Sequence, residues 1–307
     1  MTELEVDDSM GNMKIIFMGS PDFAVPTLQK LIESKHEVIA CFSQPARPKN
    51  RGKKMVDTAI ATLALKHNIP IHTPTNLKAP ETKKLITELE ADFIIVVAYG
   101  LLLPIAVLEA AKYAPLNLHP SSLPRFRGAA PLQRTLMAGD QHTDICIMQM
   151  SEGLDEGAIY KSQNLNIPQD MILGELHDQC ANIGADLMLD VINNFKDLPP
   201  ETQSDDGVIY AKKIAKSEAE IDFNKPGLEI LNLIRALNPF PGAFMFDESD
   251  RVKIFSAKFT EKTHAEKPGS INNGFEIYCE NGVITPITLQ RAGKNKVTLP
   301  EFLNGRN

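Results

Sequence analysis

Cysteine is scarce in this 307-residue chain: four thiols, at Cys41, Cys146, Cys180 and Cys279, with no Cys-x-x-Cys pair. That spacing disfavours a zinc site or a disulfide framework, so no metal is expected and the thiols read as small core residues in a reducing compartment. No apolar run approaches the roughly 18–20 residues that span a bilayer. The amino terminus, Met-Thr-Glu-Leu-Glu-Val-Asp-Asp, is acidic and has no signal core. A cytoplasmic protein without membrane contact is expected. An excess of positive charge is also missing. The formal net charge of −7 argues against a generic nucleic-acid coat but leaves room for a local basic surface. The turn after the first apolar strand lacks Gly-x-Gly-x-x-Gly, so a dinucleotide cofactor is not indicated.

What is present points to two domains. The length exceeds one typical compact core. Lys14–Met18 is an apolar strand, Pro26 opens a helix, and Glu37–Phe42 is the next strand, a βαβ start that implies a doubly wound, mostly parallel, Rossmann-like sheet. The run from Asp92 to Tyr99 is continuously apolar and β-branched, as a central parallel strand covered on both faces should be. Met55–Asn68 and Met171–Asp197 are patterned as helices, the second with a kink expected near Gly184. Beyond Gly207 the pattern changes to short strands with turn signals, Asn-Gly recurring at 273–274 and 281–282, which reads as a small OB-like β-barrel. The expected division is a disordered extension over 1–12, an α/β domain over 13–200, a linker over 201–219 and the β-domain over 220–307. Residues 204–307 carry fourteen cationic and fourteen acidic side chains, so the whole −7 falls on the rest of the chain.

Two stretches stand apart from packing logic. Gln44–Lys54 holds five cations, Arg47, Lys49, Arg51, Lys53 and Lys54, with two prolines, a glycine and no large apolar anchor. A mobile surface loop is expected there, either merely solvated or contacting phosphates. The second stretch is Asn117–Pro131. Asn117 and His119 alternate with Leu118, so on a strand both project from one face, an amide donor beside a group that titrates near neutrality. Asp155, between Gly153 and Gly157, follows the next strand. A carboxylate near a histidine orients the ring and favours its charged form, and an amide can donate to an oxygen that becomes negative. Neither Ser121 nor Ser122 is marked as an activated nucleophile. Asn, His and Asp without a protein nucleophile suit direct acyl transfer to an external amine. Spacing alone leaves open a structural histidine and a tight turn at Asp155.

Several motifs sharpen this reading: Met-Gly-Ser-Pro-Asp-Phe-Ala-Val-Pro at 18–26, Val-Val-Ala-Tyr-Gly-Leu-Leu-Leu-Pro at 96–104, Asn-Leu-His-Pro-Ser-Ser-Leu-Pro-Arg-Phe-Arg-Gly-Ala-Ala-Pro at 117–131, and Met-Gln-Met-Ser-Glu-Gly-Leu-Asp-Glu-Gly at 148–157. With Arg-Ala-Leu-Asn-Pro-Phe-Pro-Gly-Ala at 235–243, they give the chain after Met13 a close resemblance to the methionyl-tRNA formyltransferase family. The resemblance implies a formyltransferase catalytic domain followed by an OB-like tRNA-binding domain. It implies formyl transfer from 10-formyltetrahydrofolate to the methionyl amine of initiator tRNA, for translation initiation, by a monomer. Asn117, His119 and Asp155 fall on the family's catalytic residues, Ser121, Ser122, Leu123 and Pro124 on its folate-contacting segment, and the Arg47–Lys54 loop on its tRNA-contacting insertion.

The sequence departs from the family at Pro120, where alanine is usual, at Ser122 for leucine, at Ala46 for aspartate and at Phe223 for tryptophan. None removes a catalytic group. The competing readings are formyl transfer to a sugar-nucleotide amine or to glycinamide ribonucleotide, formyl-folate hydrolysis, and a non-enzymatic RNA-binding adaptor. The catalytic triplet serves any amine; the carboxy-terminal domain and the basic loop favour tRNA.

Overall fold

A computed structural model of the chain describes residues 11–49 and 54–305. Of the extension expected over 1–12, residues 1–10 lie outside the described part. The chain forms two compact units, neither contiguous in sequence. One holds the chain up to Arg127 with Asp144–Leu165 and Asp178–Ile209; the other holds Gly128–Thr143, Asn166–His177 and the chain from Tyr210 onward.

The first unit is built on a seven-stranded sheet. Its order is Ile159–Asn166, His142–Gln149, Ala114–His119, Phe93–Val97, Lys14–Gly19, Glu37–Phe42, Ile71–His72. The last five strands named pair in parallel. Phe93–Val97 is buried at every position, which explains a run that is apolar without alternation. From Lys14–Gly19 the chain goes first to Glu37–Phe42 on one side and later to Phe93–Val97 on the other. Open α/β sheets place ligands beyond the carboxyl ends of strands at such a reversal.

Four expectations are corrected by this unit. His142–Gln149 runs antiparallel to Ala114–His119, with Asn117 opposite Met148 and His119 opposite Cys146. The basic stretch is not a simple loop where it is described: Arg47–Lys49 pairs antiparallel with Lys54–Val56, Arg47 facing Val56. Arg51 and Lys53 lie outside the described residues. The helix expected from Met55 begins at Ala59, because Met55 belongs to that ribbon and Thr58 caps the helix, its hydroxyl accepting from the Ala61 N–H at 3.1 Å. Finally, Leu173–Asn193 is a single helix through Gly184. A Cβ at Gly184 would stand 2.5 Å from Leu118 Cδ1, so the glycine serves close approach of helix to sheet rather than a kink. Leu118 is fully buried between Asn117 and His119 and has nowhere to move. Gly184→Ala is therefore expected to cost about 1–3 kcal/mol by overpacking. Urea unfolding followed by circular dichroism measures it, and an unchanged midpoint would mean that the contact is slack.

The second unit wraps a five-stranded antiparallel sheet around the helix Gly227–Ala236. Its strands run Ala243–Asp247, Asp250–Glu261, Gly282–Arg291 and Ile277–Cys279 in spatial order, with Val297–Thr298 also on Gly282–Arg291. The long strand Asp250–Glu261 has register shifts on either side of Ser256, which bend it. The Asn281 side chain accepts from the Gly227 N–H at 2.9 Å, capping that helix from the hairpin turn. One face of the sheet interleaves cations and rings: Arg251 lies 3.6 Å from the centroid of Phe244 and Lys296 3.6 Å from that of Phe255. Burial and the charges of Arg251 and Lys296 lower the affinity of Lys253 for its proton, so the three cations share one face.

The stretch expected as a linker, 201–219, is anchored along its length. Glu201 and Ile159 exchange two backbone hydrogen bonds of 2.8 Å in the first unit. In the second, Arg134 forks onto the Glu218 carboxylate at 2.6 and 3.1 Å. That fork, with the Ala215 N–H, holds the Glu218 carboxyl below its usual range. Among the described residues no helix is long and apolar enough to cross a membrane.

Candidate active site

The strand Ala114–His119 is buried along its whole length, unlike an edge strand with one wet face. Two of its buried positions are polar, Asn117 and His119, on the same face two residues apart. A buried polar group needs a partner or a ligand. The partners of His119 are both protein oxygens: Nε2 lies 3.0 Å from the Phe126 carbonyl, and Nδ1 lies 3.5 Å from Asp155 Oδ2. A neutral ring can donate to only one of these oxygens, whereas the imidazolium serves both. The 3.5 Å separation is longer than a good N–H···O bond and leaves room to tighten when substrate closes the site. Among the described residues the Asn117 amide takes no protein partner, so its N–H groups are available to an oxygen brought into the site.

Asp155 arrives on the loop after His142–Gln149, the strand beside Ala114–His119. Its φ is +53°, a left-handed conformation uncommon for a residue with a Cβ. Gly157 lets the loop fold back this tightly, since a Cβ there would sit 1.8 Å from the Gln149 carbonyl oxygen. The three residues that sequence reasoning singled out are thus brought to one place. His119 and Asp155 are in direct contact, and Asn117 is one strand repeat away.

The segment Ser121–Pro124 follows directly on the same edge of the sheet. Ser121 is fully buried, and its hydroxyl donates to the Arg125 carbonyl at 2.8 Å, so it closes the turn. Ser122, Leu123 and Pro124 are half-buried and face outward from it. The neighbouring parallel strand delivers Tyr99–Leu103 to the same edge, with Leu102 81 % exposed. Apolar walls beside main-chain donors and acceptors are what a flat heterocycle takes. Of the five cations of the basic stretch, Arg47 is exposed and donates to Gln44 Oε1 at 3.2 Å. Lys49 and Lys54 are placed as paired strand residues, and Arg51 and Lys53 are outside the described part.

No thiolate competes as a nucleophile. All four cysteines are buried, and burial pushes the thiols of Cys41, Cys146 and Cys180 up to about 12. Cys146 is the nearest to the site in register, and its thiol donates to the Ser121 carbonyl at 3.2 Å.

Two residues that sequence reasoning did not assign touch the Asp155 loop. Gln203 donates to the carbonyls of Asp155 and Gly157 at 2.9 and 2.7 Å, and Arg127 donates to Gln203 in turn. Arg127 stood within a recognised motif. Gln203 lies in a polar run that reads as linker, and no sequence signal marks it.

Comparison with known proteins agrees with this architecture. The family model described as formyl transferase matches residues 13–192, and that described as formyl transferase, C-terminal domain, matches 213–307. A methionyl-tRNA formyltransferase of Rickettsia bellii is 43 % identical over 95 % of this chain and 97 % of its own. That of Rickettsia prowazekii is 44 % identical over 96 % and 97 %. In fold, the chain resembles an N-formyltransferase of Helicobacter canadensis solved with folinic acid and dTDP-3-aminofucose, at a TM-score of 0.69 and 16 % identity, covering 89 % of this chain and 99 % of that one. By these matches, the chain belongs to the methionyl-tRNA formyltransferase family.

Proposed function

We propose that the chain moves the formyl group of 10-formyltetrahydrofolate onto the α-amine of methionine carried by initiator tRNA, with Asn117, His119 and Asp155 as its catalytic residues. The observation that carries the reading is the His119–Asp155 contact beside an unpartnered buried amide, at a sheet edge with no activated serine or cysteine. The folate supplies an activated formyl carbon as co-substrate. The neutral methionyl nitrogen attacks that carbon, the bond from carbon to the folate nitrogen breaks, and that nitrogen takes a proton.

Asn117 donates to the formyl oxygen as it becomes negative, and the His119 imidazolium adds charge and a proton source. Passing the Nε2 proton to a substrate oxygen requires exchange of the Phe126 carbonyl contact. Asp155 holds the ring and balances its charge, and accepts the proton released by the incoming ammonium, directly or through water. Ser122, Leu123 and Pro124 form one wall for the folate, with Ser121 contributing through its backbone.

The division of labour follows the sequence: catalysis in 13–200, a connecting segment at 201–219 and tRNA contact in 220–307. The cations Arg47, Lys49, Arg51, Lys53 and Lys54 reach phosphates, and the Arg251, Lys253 and Lys296 face offers a second set with rings between them. The enzyme works as a cytoplasmic monomer. Identity near 43 % along almost the whole chain supports tRNA over a sugar nucleotide as acceptor. Purified protein with 10-formyltetrahydrofolate is expected to formylate initiator Met-tRNA, and not elongator Met-tRNA, free methionine or a sugar-nucleotide amine. Formylation of the sugar amine alone would replace this reading with the runner-up.

A further inference from the structure

We infer that Gln203, with Arg127 behind it, is a positioning residue that sets the placement of the Asp155 carboxylate against His119. The contacts form a closed ring. His119 Nε2 meets the Phe126 carbonyl at 3.0 Å, and Phe126 precedes Arg127 in the chain. Arg127 donates from Nε at 3.0 Å and from Nη2 at 2.8 Å to the Gln203 amide oxygen. The amide nitrogen of Gln203 donates to the Asp155 carbonyl at 2.9 Å and the Gly157 carbonyl at 2.7 Å. Asp155 Oδ2 closes the ring on His119 Nδ1.

Only an amide fits the Gln203 position. It must accept from a guanidinium at one end and offer two donors to carbonyls at the other, which no other side-chain group does at that length. Its orientation is fixed by the same partners, since reversing the amide would set donors against donors. Arg127 is buried, and the Gln203 oxygen is the hydrogen-bond partner of its side chain among the described residues. A buried guanidinium polarises the amide it binds, and polarised chains of hydrogen bonds strengthen one another. At the two places where the ring grips the backbone, the residue is in the left-handed region: Phe126 at φ +63° and Asp155 at φ +53°. Such conformations persist only where the surroundings over-determine them. The Gln203 backbone is itself fixed nearby by the Glu201–Ile159 pair. The segment that reads as a linker therefore reaches back to set a catalytic loop.

This inference rests on the proposed roles of Asp155 and His119, and the test separates the two. Gln203→Glu keeps the acceptor for Arg127, as a full charge, and removes both donors to the loop. In Met-tRNA formylation, its kcat is expected to fall about 10- to 100-fold, the scale of a misplacement near 1 Å, while KM for both substrates stays within about twofold. Its thermal midpoint should hold or rise, because the Arg127 contact becomes an ion pair. In an Asp155→Ala background the same change should add no further loss, since Gln203 acts through Asp155. Unaltered kcat in Gln203→Glu, or an equal additional loss in the Asp155→Ala background, overturns the inference. No formylation by the unaltered chain would instead overturn the function on which it rests.

Discussion

Replacing His119 with alanine is expected to lower kcat for formylation of initiator Met-tRNA by about 10²- to 10⁴-fold, the range of a general acid–base group with a share in oxyanion stabilisation. The tRNA dissociation constant should change little. His119 is 4 % exposed at the end of an internal strand, too deep to touch a macromolecule's backbone, and the cations proposed to reach tRNA lie on other elements. The loss should appear in kcat and kcat/KM together, as for an interaction made in the transition state. Alanine also leaves the Phe126 carbonyl and Asp155 each without one partner, at a cost of about 1–3 kcal/mol for a buried unpaired group. His119→Gln separates the two effects, because it fills most of the space and can donate to either oxygen. It should restore stability without restoring turnover. Turnover within threefold of the unaltered chain in His119→Gln, or loss of tRNA binding in a folded His119→Ala protein, would remove His119 from the chemistry.

The parts of this molecule that were legible in its sequence are those written locally. The βαβ start followed from one apolar strand, a proline in the first turn of a helix and a second strand, and the helix Val25–Ile32 does carry that proline at its amino end. The depth of Phe93–Val97 followed from five apolar residues without alternation. The sharing of a face by Asn117 and His119 followed from a two-residue spacing, which is a property of any strand.

The rest depends on partners remote in the chain. A strand's side chains alternate in the same way whichever direction it runs, so nothing in His142–Gln149 declares that it lies antiparallel to its neighbour. Gly184 looked like a weak point in a helix because the reason for it, Leu118, belongs to another element. The kink expected there assumed that the glycine served its own helix. The basic stretch looked unstructured because it has no apolar anchor, yet Arg47–Lys49 and Lys54–Val56 pair through backbone groups that need none. Gln203 is the clearest case: its environment is polar in sequence, and its partners are two main-chain carbonyls and a guanidinium that composition does not reveal. The site itself was legible as residues, but the scaffolding that holds Asp155 was not.

The second large effect belongs to Asp155. Asp155→Asn keeps the size of the side chain and leaves untouched the backbone carbonyl that Gln203 grips, so the loop should stay where it is. What disappears is the negative charge facing His119 Nδ1 and the acceptor for the ammonium proton. The amide can present its oxygen or its NH2 to the ring; the NH2 orientation would favour a ring that no longer donates from Nδ1. A change of the same kind behind a catalytic histidine in serine proteases costs about 10⁴-fold, and here a fall in kcat of about 10²- to 10⁴-fold is expected, the lower end reflecting solvent as a substitute proton acceptor.

That substitution gives the variant a signature in pH. The attacking amine must be neutral, and an α-amino group loses its proton near pH 8. With Asp155 present, the enzyme removes that proton in the complex. With asparagine, the neutral fraction must come from solution, so log(kcat/KM) should rise with a slope near one from neutral pH up to about 8 and then level. The deficit against the unaltered enzyme should therefore shrink by about tenfold for each pH unit over that interval. His119→Ala should show no such recovery, because its missing group acts on the formyl oxygen and not on the amine. A profile for Asp155→Asn parallel to that of the unaltered enzyme, displaced by a constant factor, would mean that Asp155 only holds the ring and takes no proton from the incoming ammonium. The oxyanion work would then rest on Asn117 and His119, and the proton would leave through water.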